Sequence, residues 1–126
     1  FLKRMAAGPW FVVAHSMGST MAVHALTQTP PLPVKGLVLI GLGSGQGGGG
    51  LDPDGTVFSR LSLPVLDLFG EQDFEGVIRG ASVRAKFDHG FDYTQIKVDN
   101  ADHFFDGYEM ELVAGVSGWL NQQLAQ

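Results

Sequence analysis

Ser16 is the residue of this sequence with the clearest potential for chemistry, and it lies in the segment Ala14-His-Ser-Met-Gly18. An apolar run precedes this segment and a stretch with helical spacing follows it, and a serine on such a strand-to-helix turn projects its hydroxyl above the strand. The spacing matches G-x-S-x-G, except that Ala14 replaces the first glycine, and Gly18 is expected to allow close approach of the helix. We interpret Ser16 as a nucleophile; the alternative is a serine that only caps a helix.

A serine nucleophile needs a general base, and the sequence has four histidines. His103 lies between the last predicted strand and the last predicted helix, which places it at the same sheet edge as Ser16. His15 adjoins Ser16 and is expected to point away from it. His24 lies within a helix, and His89 lies at the end of another, where a cation suits the helix dipole. His103 is therefore the candidate base; the alternative is a helix-entry histidine without a catalytic task.

The base needs an orienting carboxylate, and Asp73 is the first candidate because it follows the carboxyl end of a predicted strand. Asp73 is equally suited to cap the helix that follows, so both interpretations stay open. Asp99 is the substitute, whereas Asp102 adjoins His103 and is poorly placed to reach its ring. Asp67 is a charge inside an apolar strand, and it needs a partner if it is buried.

Strands and helices that would position these residues alternate along the chain. Strands are predicted at 10–14, 34–40, 64–69 and 93–98, and helices at 17–27, 74–87 and behind a capping-box-like segment at 106–109. This alternation predicts an α/β fold, with about four parallel strands, flanking helices and right-handed crossovers. The unbroken apolar pattern of the first strand predicts burial on both faces. In the first helix, the pairs Met21/Ala25 and Ala22/Leu26 predict the packed face.

A connection of more than twenty residues, 41–63, interrupts this alternation, and we interpret it as a flexible Gly-rich segment. Residues 43–48 match the dinucleotide-binding pattern G-x-G-x-x-G, but a glycine run matches it by chance and no helix follows. A P-loop is excluded because no Gly-Lys-Ser/Thr follows, and no metal-ligand spacing is present. The sequence therefore predicts no cofactor and no metal.

Composition narrows the function classes further. The chain has 126 residues, no cysteine and a formal net charge of -5. The length allows one small domain, the acidic charge disfavours nucleic-acid binding, and the missing cysteines exclude disulfides and thiol chemistry. No apolar run reaches the ~18 residues of a transmembrane helix. Oligomeric state and cellular location stay open.

The motifs at 12–18, 34–40, 64–73 and 101–103 together resemble the C-terminal half of an α/β-hydrolase. The segment around Ser16 is also similar to those of small bacterial lipases and esterases. Residues 70–74 and 101–105 are similar to an uncharacterised bacterial α/β-hydrolase family. On this resemblance, residues 1–126 form one such domain that lacks its N-terminal strands, and the chain is a C-terminal fragment.

The resemblance implies a serine hydrolase that acts on small carboxylic esters or thioesters. The chain order Ser16, Asp73, His103 agrees with the order of that family's triad, and the Met17 N–H is expected to donate to an oxyanion. A different class of function stays open: a non-catalytic scaffold or ligand-binding module, or a truncated inactive fragment.

Overall fold

The computed structural model describes residues 8–29, 32–43 and 55–126, in which strands and helices alternate. The elements are β1 Phe11–His15, α1 Met17–Leu26, β2 Gly36–Ile40, a 3₁₀ turn Phe58–Arg60, β3 Val65–Gly70, α2 Glu75–Arg84, β4 Tyr93–Val98 and α3 Glu109–Leu124. The predicted α/β class is confirmed, and β4 begins and ends where the sequence pattern places it. No helix in these three ranges has both the length and the apolar character needed to cross a membrane.

The described strands form one parallel sheet in the order β1-β2-β3-β4. Val12 pairs with Leu37 between β1 and β2, and Leu39 pairs with Asp67 between β2 and β3. Asp67 in turn pairs with Gln95 of β4. The expectation of about four parallel strands is therefore confirmed. Because the strands run the same way, the segments that follow them all leave from one edge of the sheet.

The core lies on both faces of this sheet. One face is covered by α1 and α2, and its buried residues include Val23, Leu26, Leu37, Phe58, Val65, Phe69 and Val77. The other face is covered by α3, and its buried residues include Val38, Ile40, Leu66, Leu68 and Trp119. The side chains of β3 alternate between these two sets, as expected for a central strand covered on both sides.

β1 departs from the prediction of burial on both faces, because Val13 is 53% exposed. β1 is an edge strand, with β2 as its neighbour within the described residues. α3 packs over β3 and β4, and its Trp119 reaches Phe11 of β1 in an edge-to-face contact at 6.4 Å. Val13 lies two residues further along β1, and its side chain is about half exposed to solvent.

The buried face of α1 includes one predicted pair, Ala22/Leu26, but not the other, Met21/Ala25. Met21 and Ala25 are exposed, whereas Ser19, Thr20, Val23 and Leu26 are buried. The reason is polar: the Ser19 hydroxyl lies 3.0 Å from the Ala14 carbonyl oxygen and is fully buried against β1. This contact turns the Ser19 side of the helix toward the sheet, and Met21 then faces solvent.

The connection expected at 41–63 is packed where the structure describes it. Residues 44–54, which include most of the glycine pattern at 43–48, lie outside the described residues. On either side of them, Leu42, Phe58 and Leu61 are buried in the core. The described parts of this connection therefore contribute three side chains to the core, while residues such as Ser59 and Arg60 are exposed.

The start of α3 does not form the capping box predicted at Asp106 and Glu109. Tyr108 occupies the N-cap position, and the Glu109 carboxylate accepts the N–H of Gly107 at 3.1 Å. The Asp106 N–H donates to the Asp102 carboxylate at 3.3 Å. The N–H groups of Glu109 and Gly107 hold the pKa of the exposed Glu109 carboxyl below its usual value.

Candidate active site

Ser16 lies directly between β1 and α1 with a strained backbone. Its φ is 57° and its ψ is -125°, a conformation that non-glycine residues rarely adopt and that costs about 1–3 kcal/mol. The Ser16 N–H donates to the Ile40 carbonyl oxygen at 2.8 Å, which continues the parallel ladder beyond the strand. The predicted strand-turn-helix context of Ser16 is therefore present, and the ladder holds its turn at the carboxyl edge of the sheet.

Ser19 supports this turn, and the sequence analysis missed it. Its buried hydroxyl lies 3.0 Å from the Ala14 carbonyl oxygen and 3.1 Å from that of Ile40. The available signal was a polar residue on an otherwise apolar face, three positions after the candidate nucleophile. In contrast, the expectation that Gly18 allows a close helix approach is wrong, because a Cβ there would lie an ordinary 3.9 Å from the Ala14 Cβ.

His103 links Ser16 to Asp73. Its Nε2 lies 2.8 Å from the Ser16 Oγ, and its Nδ1 lies 2.7 Å from the Asp73 Oδ1. An ionised carboxylate only accepts hydrogen bonds, so Nδ1 carries the proton. Nε2 of the neutral ring is then free to accept the Ser16 hydroxyl proton. The structure thus brings the three predicted residues into one chain of hydrogen bonds.

Asp73 orients the His103 ring, and the alternative interpretation of Asp73 as the N-cap of α2 is wrong. Its Oδ1 accepts the backbone N–H of Phe74 at 2.6 Å in addition to the His103 ring. Phe74 itself is the N-cap residue of α2. The side chains of Asp73 and His103 are both nearly inaccessible to solvent. The N–H of Phe74 therefore fixes the carboxylate that faces the ring.

The other two carboxylates considered for this position lie elsewhere. The Asp102 carboxylate accepts the backbone N–H groups of Phe104 and Asp106, at 2.9 and 3.3 Å. Asp99 is exposed. Within the described parts of the chain, Asp73 is the carboxylate that is hydrogen-bonded to the His103 ring.

Gly41, at the end of β2, is a site residue that the sequence analysis placed in a flexible segment. It is buried, its φ is +63°, and its N–H donates to the Leu68 carbonyl oxygen at 2.9 Å. A Cβ at this position would lie 3.1 Å from the His103 ring and 3.3 Å from the Asp73 Oδ2. The available signal was a glycine immediately after a buried parallel strand, at the edge where the other candidates converge.

Solved structures share this arrangement of strands. A candidate alpha/beta hydrolase of unknown function from Agrobacterium tumefaciens aligns with a TM-score of 0.71 at 20% identity, over 93% of this chain and 51% of that one. Alpha/beta hydrolase domain-containing protein 10 from mouse aligns with a TM-score of 0.62 at 16% identity, over 96% of this chain and 65% of that one. The chain has an α/β-hydrolase fold.

The likeness to these α/β-hydrolase structures concerns the fold, and the chain spans between about half and two thirds of their length. No known family profile matches the sequence, and a comparison with curated proteins also finds no match. The shared α/β-hydrolase fold accounts for the sheet edge at which Ser16, Asp73 and His103 meet.

The remaining histidines of this α/β-hydrolase fold have separate contacts. The His15 Nε2 donates to the backbone carbonyl oxygen of His103 at 3.0 Å, and the two rings lie 5.0 Å apart. The His89 Nε2 donates to the Arg84 carbonyl oxygen at 2.7 Å, at the end of α2 as predicted. His24 is half-buried on α1. His15 is thus the second histidine near the site, although it contacts the backbone of His103.

Apolar side chains surround the entrance to the site. The Phe74 ring lies 4.6 Å from the His103 ring, and the Phe104 ring lies 5.1 Å from it. Phe74 is 60% exposed and Phe104 is 65% exposed. Met17, the first residue of α1, is also exposed beside Ser16, and its N–H has no acceptor within the helix. The sequence predicts a role for the Met17 N–H, but it gives no signal for either phenylalanine.

Asp67 finds its partners on α2 and β4, away from Ser16. The Arg84 guanidinium donates to both Asp67 oxygens, at 2.7 and 3.2 Å, and the Tyr93 hydroxyl donates to the Oδ2. Burial lowers the pKa of Arg84, but the charge and hydrogen bonds of Asp67, together with Tyr93, outweigh burial and raise the pKa overall. Arg84 also donates to the Leu42 carbonyl oxygen at 3.2 Å, and so holds the segment that begins with Gly41.

Metal chemistry has no visible site in the part of the chain that the structure describes. No group of three His, Cys, Asp or Glu side chains lies close enough there to hold an ion. Asp73 and His103 are already bonded to each other, so the chemistry available at this edge is that of a serine hydroxyl next to a histidine.

Proposed function

We propose that this chain acts as a serine hydrolase on small carboxylic esters or thioesters. The observation that carries the proposal is the chain of hydrogen bonds from the Ser16 hydroxyl to His103 and on to Asp73, over 2.8 and 2.7 Å. A serine hydroxyl with a base in hydrogen-bonding reach, and a carboxylate that orients that base, is the arrangement that nucleophilic catalysis requires.

Acylation begins when the Ser16 Oγ attacks the carbonyl carbon of the substrate. The His103 Nε2 accepts the hydroxyl proton as the new C–O bond forms, and Asp73 stabilises the imidazolium through the bond to Nδ1. The tetrahedral intermediate then collapses. The bond from the carbonyl carbon to the leaving oxygen or sulfur breaks, and that atom takes the proton from Nε2. Ser16 is left acylated and His103 is neutral again.

Deacylation repeats these steps with water. His103 accepts a proton from the water molecule as its oxygen attacks the acyl carbon, and the Ser16 Oγ takes that proton back when the acid leaves. In both halves, negative charge develops on the carbonyl oxygen. The Met17 N–H, at the positive end of α1, is our candidate donor to this oxygen.

Two features support the assignment beyond the distances. The backbone of Ser16 is held in a strained conformation, and such strain concentrates at functional sites. The solved structures with the same fold include proteins described as alpha/beta hydrolases. Because the chain spans only part of those structures, the substrate class is also part of what we propose.

A fluorophosphonate probe tests the proposal directly, because it phosphonylates a serine only where a base activates the hydroxyl. We expect labelling of the chain and its loss in Ser16→Ala and in His103→Ala. Ser82→Ala, which removes an exposed hydroxyl on α2, is the matched control and should label like the parent chain. Circular dichroism confirms that each variant is folded. Labelling that persists in folded Ser16→Ala, or its absence from the folded parent chain, would overturn the proposal.

A further inference from the structure

Two exposed aromatic rings lie against the candidate base. Phe74 packs on the His103 ring at 4.6 Å with 31° between the ring planes, and Phe104 meets it edge-on at 5.1 Å. Phe74 and Phe104 are 60% and 65% exposed, yet His103 beneath them is buried. These two residues therefore form part of the surface that a molecule contacts when it approaches His103 from solvent.

This exposure has an energetic consequence for the chain. A phenylalanine side chain that stays in water forgoes most of the stabilisation that burial supplies, and apolar groups gathered beside a reactive centre are typical of ligand sites. Phe74 and Phe104 come from different loops, after β3 and after β4. They are adjacent because both loops close on His103.

The position of the rings indicates which part of a substrate they contact. In the reaction proposed above, the leaving group receives its proton from the His103 Nε2, so it must lie next to that ring. The acyl group stays on the Ser16 oxygen. Because Phe74 and Phe104 both lie within about 5 Å of the His103 ring centre, the leaving group is the part of the substrate nearest to them.

Charges nearby favour a neutral leaving group. Asp102 and Asp106 flank the segment of Phe104 on either side, and Glu75 follows Phe74. Glu75 is paired with Arg79 at 3.3 Å, whereas the Asp102 carboxylate accepts the backbone N–H of Phe104 itself at 2.9 Å. Carboxylates at such an entrance raise the free energy of an approaching anion.

We propose that Phe74 and Phe104 form the leaving-group site of this enzyme, and that the site selects esters or thioesters whose alcohol or thiol is uncharged, apolar and of aromatic size. The inference rests on the proposed function and adds the substrate class to it. Phe74 and Phe104 are specificity-determining residues in this scheme, and they take no part in proton transfer.

The test compares three esters of butyric acid: methyl, benzyl and 4-carboxybenzyl. Methanol and benzyl alcohol are similar in acidity, so the first two esters differ mainly in the apolar surface of the leaving group. We expect kcat/KM for the benzyl ester to exceed that for the methyl ester at least ~10-fold, and the carboxylate to remove most of this advantage. Phe74→Ala and Phe104→Ala should each reduce the benzyl-to-methyl ratio about 5-fold or more.

Leu124→Ala is the matched control, because Leu124 is an exposed apolar residue at the far end of α3. It should leave the ratio unchanged. A readout without turnover uses two butylphosphonate probes, one with a 4-nitrophenoxide and one with a fluoride leaving group. The ratio of their labelling rates is compared across the same variants, so intrinsic reactivity cancels, and each phenylalanine variant should lower it.

The outcomes separate this inference from the proposed function. Labelling or turnover that depends on Ser16, with ratios equal in the parent chain and in both phenylalanine variants, overturns the leaving-group site and leaves the hydrolase intact. Loss of rate for both esters by the same factor in Phe74→Ala likewise overturns it, because Phe74 would then only support His103. If the folded parent chain reacts with none of these compounds, the proposed function fails and this inference fails with it.

Discussion

His15 donates a hydrogen bond from Nε2 to the backbone carbonyl oxygen of His103 over 3.0 Å, and so joins the two loops that carry the candidate nucleophile and the candidate base. These loops follow β1 and β4, the first and last strands of the described sheet. Three strand spacings separate them, or about 14 Å. The contact between Ser16 and His103 therefore requires both loops to extend across the ends of β2 and β3.

We expect His15→Leu to slow phosphonate labelling of Ser16 about 10-fold, because the loop of His103 loses its attachment. His15→Gln retains a side-chain N–H donor, and its labelling rate should stay within about 3-fold of the parent rate. Labelling quenched at several times, at several probe concentrations, gives the second-order rate constants. Equal rates in the two variants would show that the hydrogen bond does not position His103.

Gly41 lies against the His103 ring, and we expect Gly41→Ala to displace that ring from Ser16. A Cβ there would lie 3.1 Å from the His103 ring, and the φ of +63° is strained for alanine. The labelling rate should fall about 100-fold, since misplacement of the base by about 1 Å has costs of that order.

Two glycines serve as controls for this substitution. Gly107 also has a positive φ, +81°, but a Cβ there meets nothing within 4 Å, so Gly107→Ala tests the backbone effect alone. Gly90→Ala introduces a Cβ in open space. Both variants should label at nearly the parent rate. A slow Gly107→Ala variant would assign the loss to general destabilisation and contradict a specific role for Gly41.

Asp73→Asn tests the orientation of His103. An amide in place of the carboxylate can donate to Nδ1, which would move the ring proton to Nε2 and remove the acceptor for the Ser16 hydroxyl. We expect the labelling rate to fall by about 10³–10⁴. Asp99→Asn, at an exposed aspartate near the end of β4, should change the rate less than 2-fold. The reverse result would move the orienting role to Asp99.

The strands, and the convergence of Ser16, Asp73 and His103, were predictable because buried parallel strands have a recognisable local sequence pattern. Unbroken apolar runs mark strands that are covered on both faces, and residues that follow such runs must share one sheet edge. β2 and β3 fit this rule, whereas the alternation of polar and apolar residues predicted β4. β1 does not fit at Val13, because the pattern of a strand does not reveal how far a helix from elsewhere in the chain extends over it.

The residues that complete the site were missed for a related reason. Gly41, Phe74 and His15 act through contacts with His103, which lies 29 to 88 positions away in the sequence. A glycine at a strand end and a phenylalanine after an aspartate are common, so neither residue type indicates such a contact. The partner of Asp67 was also not predictable. Arg84 is the last residue of α2, and a basic residue there is common and gives no sign of a buried ion pair.

Arg84 and Asp67 form a buried ion pair, and removing one member should destabilise the fold strongly. Arg84→Met leaves the Asp67 carboxylate in the core with Tyr93 and Gln95 as its remaining donors. We expect the free energy of unfolding in urea to fall by about 3–5 kcal/mol. The exposed pair of Arg79 and Glu75 gives the comparison: Arg79→Met should cost less than about 1 kcal/mol.

The double variant Arg84→Met with Asp67→Leu distinguishes the loss of the ion pair from the cost of leaving one buried charge unpaired. Replacing both charges by apolar groups removes the orphaned carboxylate, so the double variant should be more stable than Arg84→Met alone. A double variant that is no more stable than the single one would contradict this account of the pair.

Tyr93 makes the stability of this network depend on pH. Burial, together with the Asp67 carboxylate, raises the pKa of Tyr93 above its usual value. The folded state therefore holds the phenol proton more tightly than the unfolded chain, whose tyrosines titrate near pH ~10. The resulting stabilisation is complete below that pH and is lost as the pH rises above it.

We expect Tyr93→Phe to lower the free energy of unfolding by about 1–3 kcal/mol at pH 7, because the Asp67 carboxylate loses a donor. The difference from the parent chain should shrink between about pH 10 and 11, where only the parent chain must keep a buried phenol protonated. Urea unfolding of both proteins at matched pH gives this difference, in which groups common to both cancel. Tyr108→Phe, measured in the same way, is the control for the loss of a tyrosine hydroxyl outside this network. A difference for Tyr93→Phe that stays constant or widens above pH 10 would show that the Tyr93 proton does not stabilise the fold.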